Sequence, residues 1–290
     1  IDWADIVHIE RRDDGRLARH DLSSQTGSAT SLGPPRGAGR VGPALAALGA
    51  ALPPDDLSLR AARALQEASG TAFGADLHLD KRVPWGAGLG GGSSDAATVL
   101  LALNRLWGLD WPRSRLAALA ATLGADVPFF VGGRDAFVSG IGERLTPLEL
   151  PRACYAVVKP PESLATGEIF AHPLVRRDTP SATISGFLAD GIAEKVSGQL
   201  RLDPVVSGWG RNDLQAAAAD RCPAIADVAR WLDARYGNSR MTGSGSAVFA
   251  RAGSGLQPTA TFPAQALAPG WVGRLCRGIG QHPLVDWARD

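Results

Sequence analysis

Lysine is almost missing from this chain. Only Lys81, Lys159 and Lys195 stand among thirty basic residues, and none sits between a glycine and a Ser or Thr, so a Walker-type phosphate loop is excluded. Cysteine is as scarce: Cys154, Cys222 and Cys276 lie far apart, with no Cys-x-x-Cys pair. That spacing argues against a zinc site and a disulfide framework and fits a reducing, cytoplasmic setting. No apolar run is long enough to cross a bilayer, so no membrane role is expected. An excess of charge is lacking too. Thirty basic residues face twenty-nine acidic ones, a net charge of +1, and without a basic field nucleic acid is not an expected partner. No secretory leader is visible, and the chain opens on Ile1 instead of methionine, so we expect the true N-terminus to lie upstream. What is left is a globular composition, 45% apolar and 20% charged, with 290 residues, room enough for two domains.

Glycine, by contrast, is concentrated. Within Pro84-Trp85-Gly86-Ala87-Gly88-Leu89-Gly90-Gly91-Gly92-Ser93-Ser94, five glycines fall in seven positions, a loss of chain entropy that folding alone does not explain. Ala96, Val99, Leu100, Leu103, Leu106 and Trp107 then recur at three- and four-residue spacing, which predicts a helix starting near Ser93, Ser94 or Asp95. Free backbone N–H groups at that helix start would face the glycines and suit a phosphate. Two other readings compete. One is a flexible loop capped by Ser94 or Asp95; the other is a dinucleotide fingerprint, since Gly86-x-Gly88-x-x-Gly91 has its spacing. The fingerprint fits poorly, because Lys81-Arg82-Val83-Pro84-Trp85 separates the glycines from the expected strand Ala75 to Asp80.

Elsewhere, Ile1 to Glu10 reads as a strand, turned back at Asp13-Asp14-Gly15 into a hairpin. The stretch 23–54, rich in Ser, Thr, Gly, Pro and Ala, is expected to be a long surface excursion with a short helix over Ala44 to Leu48. Leu57 to Ala68 predicts a helix capped by Asp55 or Asp56, and Arg113 to Leu123 a second one stopped by Gly124. Asp126, two residues before Pro128, has two readings. It is an N-cap, or, close to a phosphate loop, a carboxylate that takes the proton of an attacking hydroxyl. A second glycine-rich stretch, Ser239-Arg240-Met241-Thr242-Gly243-Ser244-Gly245-Ser246-Ala247, runs into an apolar strand. It is either a tight turn or a backbone wall beside a transferred phosphate.

These stretches, in this order, resemble the GHMP kinases, the small-molecule kinases named for galactose, homoserine, mevalonate and phosphomevalonate. The loop ending in Ser93-Ser94 is similar to their ATP loop. Leu123-Gly124-Ala125-Asp126-Val127-Pro128-Phe129-Phe130 and Gly140-Ile141-Gly142-Glu143-Arg144-Leu145-Thr146-Pro147-Leu148 look like one branch, which phosphorylates a cytidine-diphosphate derivative of methylerythritol in non-mevalonate isoprenoid synthesis. Thr166 to Phe170, Gly210 to Leu214, Gly270-Trp271 and His282-Pro283-Leu284 look like the same branch. The resemblance implies an α+β fold in two domains: 1–150, with a mixed sheet and the ATP site, and 151–290, ferredoxin-like, with the active site between them. It implies ATP and Mg²⁺ as cofactors, the 84–94 loop against ATP with Gly88 to Ser94 on its phosphates, Asp126 as the base, and Phe170, Thr242 and Gly243 at the substrate. It implies no particular Mg²⁺ ligand. Phe170 reads equally as a core phenylalanine.

The chain also departs from the family. Ala247 stands where a cysteine is common. A Pro-Ala-Lys-Leu-Asn strand with a catalytic lysine and an Asp-Gly-Tyr-His turn that grips cytidine are both missing; Asp14-Gly15 runs into Arg16-Leu17, and none of the three lysines has a matching context. The expectation is therefore a kinase without its N-terminal strand and with poor turnover as given. The alternatives are another GHMP small-molecule kinase, or a nucleotide-binding remnant without activity.

Overall fold

Ala75, Leu77 and Leu79 are all buried while Asp76, His78 and Asp80 between them are not, the period-two pattern of a strand with one core face. This strand, β3 (Gly74–Asp80), is the centre of the first sheet. β1 (Ile6–Arg12) lies antiparallel on one side, with Ile9 opposite Leu77, and β2 (Leu17–Asp21) lies parallel on the other, with Arg19 opposite Leu77. The expected hairpin of the first two strands does not form. Asp14-Gly15 does turn the chain, but the more apolar β3 enters between β1 and β2, so both of its edges are hydrogen-bonded while the half-polar strands take the outside. The computed structural model describes residues 1–22, 55–180, 193–196, 199–202, 210–255, 257–258 and 261–290. The excursion at 23–54 and its short helix lie outside the described residues.

Helices cover this sheet. α1 (Leu57–Ser69) begins where the Asp56 carboxylate accepts the Leu59 N–H at 3.1 Å and ends at Gly70. α2 (Gly91–Leu106), α3 (Arg113–Leu123) and α4 (Val127–Gly132) follow. Leu59, Leu65, Leu77, Leu79, Leu100, Leu103, Leu116, Val127 and Val131 close into one core. A hairpin of β4 (Ala136–Ser139) and β5 (Arg144–Pro147) comes next.

The second half has its own sheet. β6 (Ala153–Lys159) pairs antiparallel with β10 (Val248–Ser254) and with β11 (Val272–Arg277), and β9 (Arg240–Met241) adds to the far edge of β10. β7 (Ala193–Val196) and β8 (Gln199–Leu202) form a separate ribbon. α5 (Thr166–Ala171) is a short helix, while α6 (Gln215–Arg221) and α7 (Ala224–Tyr236) supply Ala217, Ala218, Ile225, Val228 and Leu232 to a core with Ala156, Val158, Val248 and Ala250. A third cluster joins the halves: Trp3, Val83 and Ala87 meet Val157, Ala247 and Cys276.

The last residues return to the first half. His282 N–H donates to Gly133 O at 2.8 Å, the Arg113 guanidinium donates to the carbonyls of Val131, Val285 and Ala288, and Ala288 is buried in the first core. The molecule is thus α+β, with a mixed first sheet and an antiparallel second one.

Candidate active site

α2 starts at Gly91, ahead of the Ser93 to Asp95 start that periodicity suggested. Gly90 takes the N-cap position at φ +71°, a left-handed turn that needs no side-chain cap, and no side chain caps this helix. Ser94 N–H already donates to Gly90 O at 2.9 Å, which leaves the N–H groups of Gly91, Gly92 and Ser93 without helical acceptors. Ser94 and Asp95 lie inside the helix, so the loop capped by either residue is not what forms. Dipole and free donors together make this helix end attractive to an anion.

The loop before α2 is held against the second glycine-rich stretch. Ser246 N–H donates to Gly86 O and Ala247 N–H to Ala87 O, both at 3.1 Å, and the Thr242 hydroxyl donates to Gly88 O at 2.9 Å. Gly88 has φ +68°, and a Cβ there would overlap Thr242 O and lie 2.9 Å from Gly245 N. Only glycine lets the two loops come this close. The second stretch is a turn, with Gly245 N–H on Thr242 O at 3.0 Å, and its backbone also packs against the first loop. Asn212 braces it from behind, donating from Nδ2 to Met241 O (2.9 Å) and Gly243 O (2.7 Å). In the sequence, Asn212 stands out only as part of the Gly210 to Leu214 stretch that resembles the family.

Asp126 occupies the N-cap position of α4, yet its side chain makes no capping hydrogen bond and is exposed. One turn later on the same face, Phe130 rests on the glycine loop: a Cβ on Gly90 would sit 2.9 Å from Phe130 Cζ. The tip of the β4–β5 hairpin closes on the same segment, since Gly142 packs against the Ala125 carbonyl. Asp126, Thr242, Gly243 and the 84–94 loop thus belong to neighbouring elements that touch. Trp85 is exposed and Ala87 is buried in the junction cluster. Phe170 joins less directly, through the Thr166 hydroxyl bonded to Ser244 Oγ at 2.9 Å. It is 53% exposed, so the core reading of Phe170 does not hold.

Sequence reasoning missed a buried ion cluster at the two stems of the loop. Lys81 Nζ bonds to Asp5 Oδ2 and, at 2.6 Å, to Asp95 Oδ2, with side-chain exposures of 12%, 2% and 7%. Asp5 Oδ1 also accepts the N–H groups of Arg82 (2.6 Å) and Val83 (2.8 Å). Two carboxylates share one ammonium here. Burial, aided by Asp5, pushes the Asp95 carboxyl up to about 7 against the pull of Lys81. The signal available in sequence was a lysine before the glycines and an aspartate after them, but nothing there tied either to Asp5.

A cavity of about 1020 Å³ lies beside this cluster, between β1, α2 and the second sheet. Its walls are mainly apolar, with Trp3, Val7, Leu89, Phe130 and Phe249, and its polar lining includes Asp5, Ser94 and Asp95 at one place and Arg134, Asp135 and Arg152 at another. Asp126 does not line it. Among the described residues no group of three or more His, Cys, Asp or Glu side chains is placed to hold a metal ion.

Two family models match the chain: GHMP kinases N terminal domain over 56–134 and GHMP kinases C terminal over 205–258. The 4-diphosphocytidyl-2-C-methyl-D-erythritol kinase of Methylibium petroleiphilum is 52% identical over 289 residues, which is 99% of this chain and 86% of that protein. The kinase of the same name from Variovorax paradoxus is 47% identical, over 99% of this chain and 88% of its own. A crystal structure of 4-(cytidine 5'-diphospho)-2C-methyl-D-erythritol kinase superposes with a TM-score of 0.65 at 32% identity, covering 95% of this chain and 85% of that one. A homoserine kinase from Cytophaga hutchinsonii, at 18% identity, shares the fold with a TM-score of 0.64 over 96% of this chain and 86% of its own. Loop, wall, helix start and these likenesses agree: the chain belongs to the GHMP kinases, in the 4-diphosphocytidyl-2-C-methyl-D-erythritol kinase branch.

Proposed function

We propose that the protein transfers the γ-phosphoryl group of ATP to the hydroxyl on carbon 2 of 4-diphosphocytidyl-2-C-methyl-D-erythritol, a step of non-mevalonate isoprenoid precursor synthesis. The observation that carries this reading is the helix start itself: three free N–H groups at Gly91, Gly92 and Ser93, on a glycine loop walled by Thr242 to Ala247. We assign Pro84 to Ser94 to ATP, with the N–H groups on the phosphates and the helix dipole favouring their charge. Asp126, exposed on the Phe130 face of α4, takes the proton of the attacking hydroxyl as the new P–O bond forms and the bond to the leaving ADP breaks. Thr242 and Gly243 border the transferred phosphate, and Phe170 offers an exposed ring to the cytosine. Mg²⁺ bound with the nucleotide would offset phosphate charge. Lys81 is engaged by the buried carboxylates of Asp5 and Asp95, and Lys159 by the carbonyls of Pro160 to Glu162.

We place the domain division near Leu150, 1–150 binding ATP and 151–290 facing it, with the last ten residues packed back on the first domain. Among the described residues no helix is long and apolar enough to cross a membrane, and three free, buried cysteines suit a cytoplasmic enzyme.

The decisive experiment follows ADP release with ATP and Mg²⁺ against the cytidine-diphosphate substrate, mevalonate and homoserine. Turnover of the first substrate alone is expected. Turnover of mevalonate or homoserine without it rejects the substrate assignment, and tight NADH binding without ATP binding rejects the kinase reading.

A further inference from the structure

Lys159 ends β6 with its side chain turned inward and only 2% exposed. Its ammonium donates to three consecutive backbone carbonyls, those of Pro160 (3.0 Å), Pro161 (3.3 Å) and Glu162 (2.9 Å). Burying an ammonium on neutral acceptors is costly, and burial lowers its pKa, with Cys222 and Glu162 offsetting this in part. An apolar side chain of similar length would fill the space at less cost. A purpose must therefore lie in what the ammonium holds.

It holds the turn at 160–163. Pro160 and Pro161 have no N–H groups, so this turn has few donors of its own. Its far side reaches both glycine stretches. Glu162 O accepts the Ser246 hydroxyl at 2.5 Å, and the Ser163 hydroxyl donates to Trp85 O at 3.0 Å. Ser246 N–H in turn donates to Gly86 O. One ammonium thus stands behind a chain of contacts that ends in the loop assigned to ATP.

We propose that Lys159 is a positioning residue for the nucleotide loop: by pinning the carbonyls of 160–162 it fixes Glu162 and Ser163 against Ser246 and Trp85, and so sets where the N–H groups of Gly91 to Ser93 lie. This rests on reading the loop as the ATP site, and the test separates the two. In the full chain, Lys159→Met keeps the stem and removes all three donors. Calorimetric titration with Mg²⁺-ATP, below the variant's unfolding transition, is expected to show at least a tenfold weaker Kd. Hydrogen exchange of the ATP-free protein is expected to quicken over 84–92 while α1 and α3 exchange as in the wild type. Ser246→Ala, which removes one contact and little volume, should move both readouts the same way by less, and it decides the matter should Lys159→Met fail to fold. Wild-type Kd and wild-type exchange over 84–92 overturn the proposal, and a lowered Tm alone then marks Lys159 as structural. If the wild type itself binds no ATP, the nucleotide reading falls and the proposal with it, whereas exchange over 84–92 still reports separately whether Lys159 holds the loop.

Discussion

Asp126 and Asp95 are carboxylates of the same region with opposite surroundings, and each gives a measurable consequence. Asp126 is exposed and caps nothing with its side chain. Asp126→Asn should therefore leave Tm within about a degree, since Asn is as good as Asp at an N-cap and there is no capping bond to lose. As the loss of a proton acceptor, the same change should lower kcat roughly a hundredfold or more with ATP affinity little altered. Near-normal turnover would move the base elsewhere. Asp95 is buried beside Asp5 and Lys81, and its carboxyl is pushed up from 3.8 to about 7. A raised folded-state pKa means the folded protein keeps a proton that the unfolded chain gives up. The stability this contributes is full below about pH 4 and is lost as pH rises through about 7. Asp95→Asn removes that dependence, so urea unfolding at pH 4, 5.5 and 7 should show a flatter profile than the wild type. An unchanged slope would show that another group carries the proton.

At the scale of elements, two glycines of one loop are predicted to behave differently. Gly88 is left-handed and its missing Cβ faces the Thr242 carbonyl, so Gly88→Ala must push the two glycine stretches apart. We expect a loss of about 1–3 kcal/mol in stability and at least tenfold in ATP affinity. Gly92 sits in the first turn of α2 with nothing nearer to its Cβ than Leu57 Cδ1 at 3.8 Å. Gly92→Ala keeps the N–H and should raise helix stability by up to ~1 kcal/mol, with ATP affinity unchanged within a few-fold. Equal damage from both would mean that the wall does not require glycine at Gly88. Phe170→Ala should raise KM for the cytidine substrate about tenfold without moving Tm, because an exposed ring contributes stacking and little packing. What sequence made legible follows the same line. α1 and α3 were readable because their signals are local: periodicity in both, the Asp55 or Asp56 cap of the first and the Gly124 stop of the second. The pairing of β1 and β2 with β3 was not, since hydrogen bonding of non-adjacent strands leaves no local mark. The glycine loop was plain in composition, but its exact helix start depends on Gly90 turning left-handed, which allows α2 to begin before any residue suited to capping. The Asp5–Lys81–Asp95 cluster and the Asn212 brace were invisible for the same reason as the sheet order: their partners are distant in sequence.

For the whole molecule, the question is whether two halves with separate cores unfold as one. Among the features that couple them are the Trp3, Val83, Ala87, Val157, Ala247 and Cys276 cluster, the hydrogen bonds from Ser246 and Ala247 to Gly86 and Ala87, and the tail that carries two of Arg113's acceptors and Ala288 back to the first core. All are short-range and two of them run through the proposed ATP loop. The protein is therefore expected to give a single calorimetric transition. On the proposed function, Mg²⁺-ATP binds the folded form alone, and at a hundred times its Kd it should add about 2.7 kcal/mol. That corresponds to a rise in Tm of several degrees for a chain of this size, and NADH at the same concentration should give none. Gly88→Ala tests the coupling and the site together, because separating the two glycine stretches removes the shared contacts and the bound nucleotide's seat at once. Its expected trace is two overlapping transitions and a much smaller shift with ATP. A single transition with a full ATP shift in that variant would mean that the junction cluster and the tail suffice to join the halves, and that the nucleotide does not depend on the contact between Gly88 and Thr242.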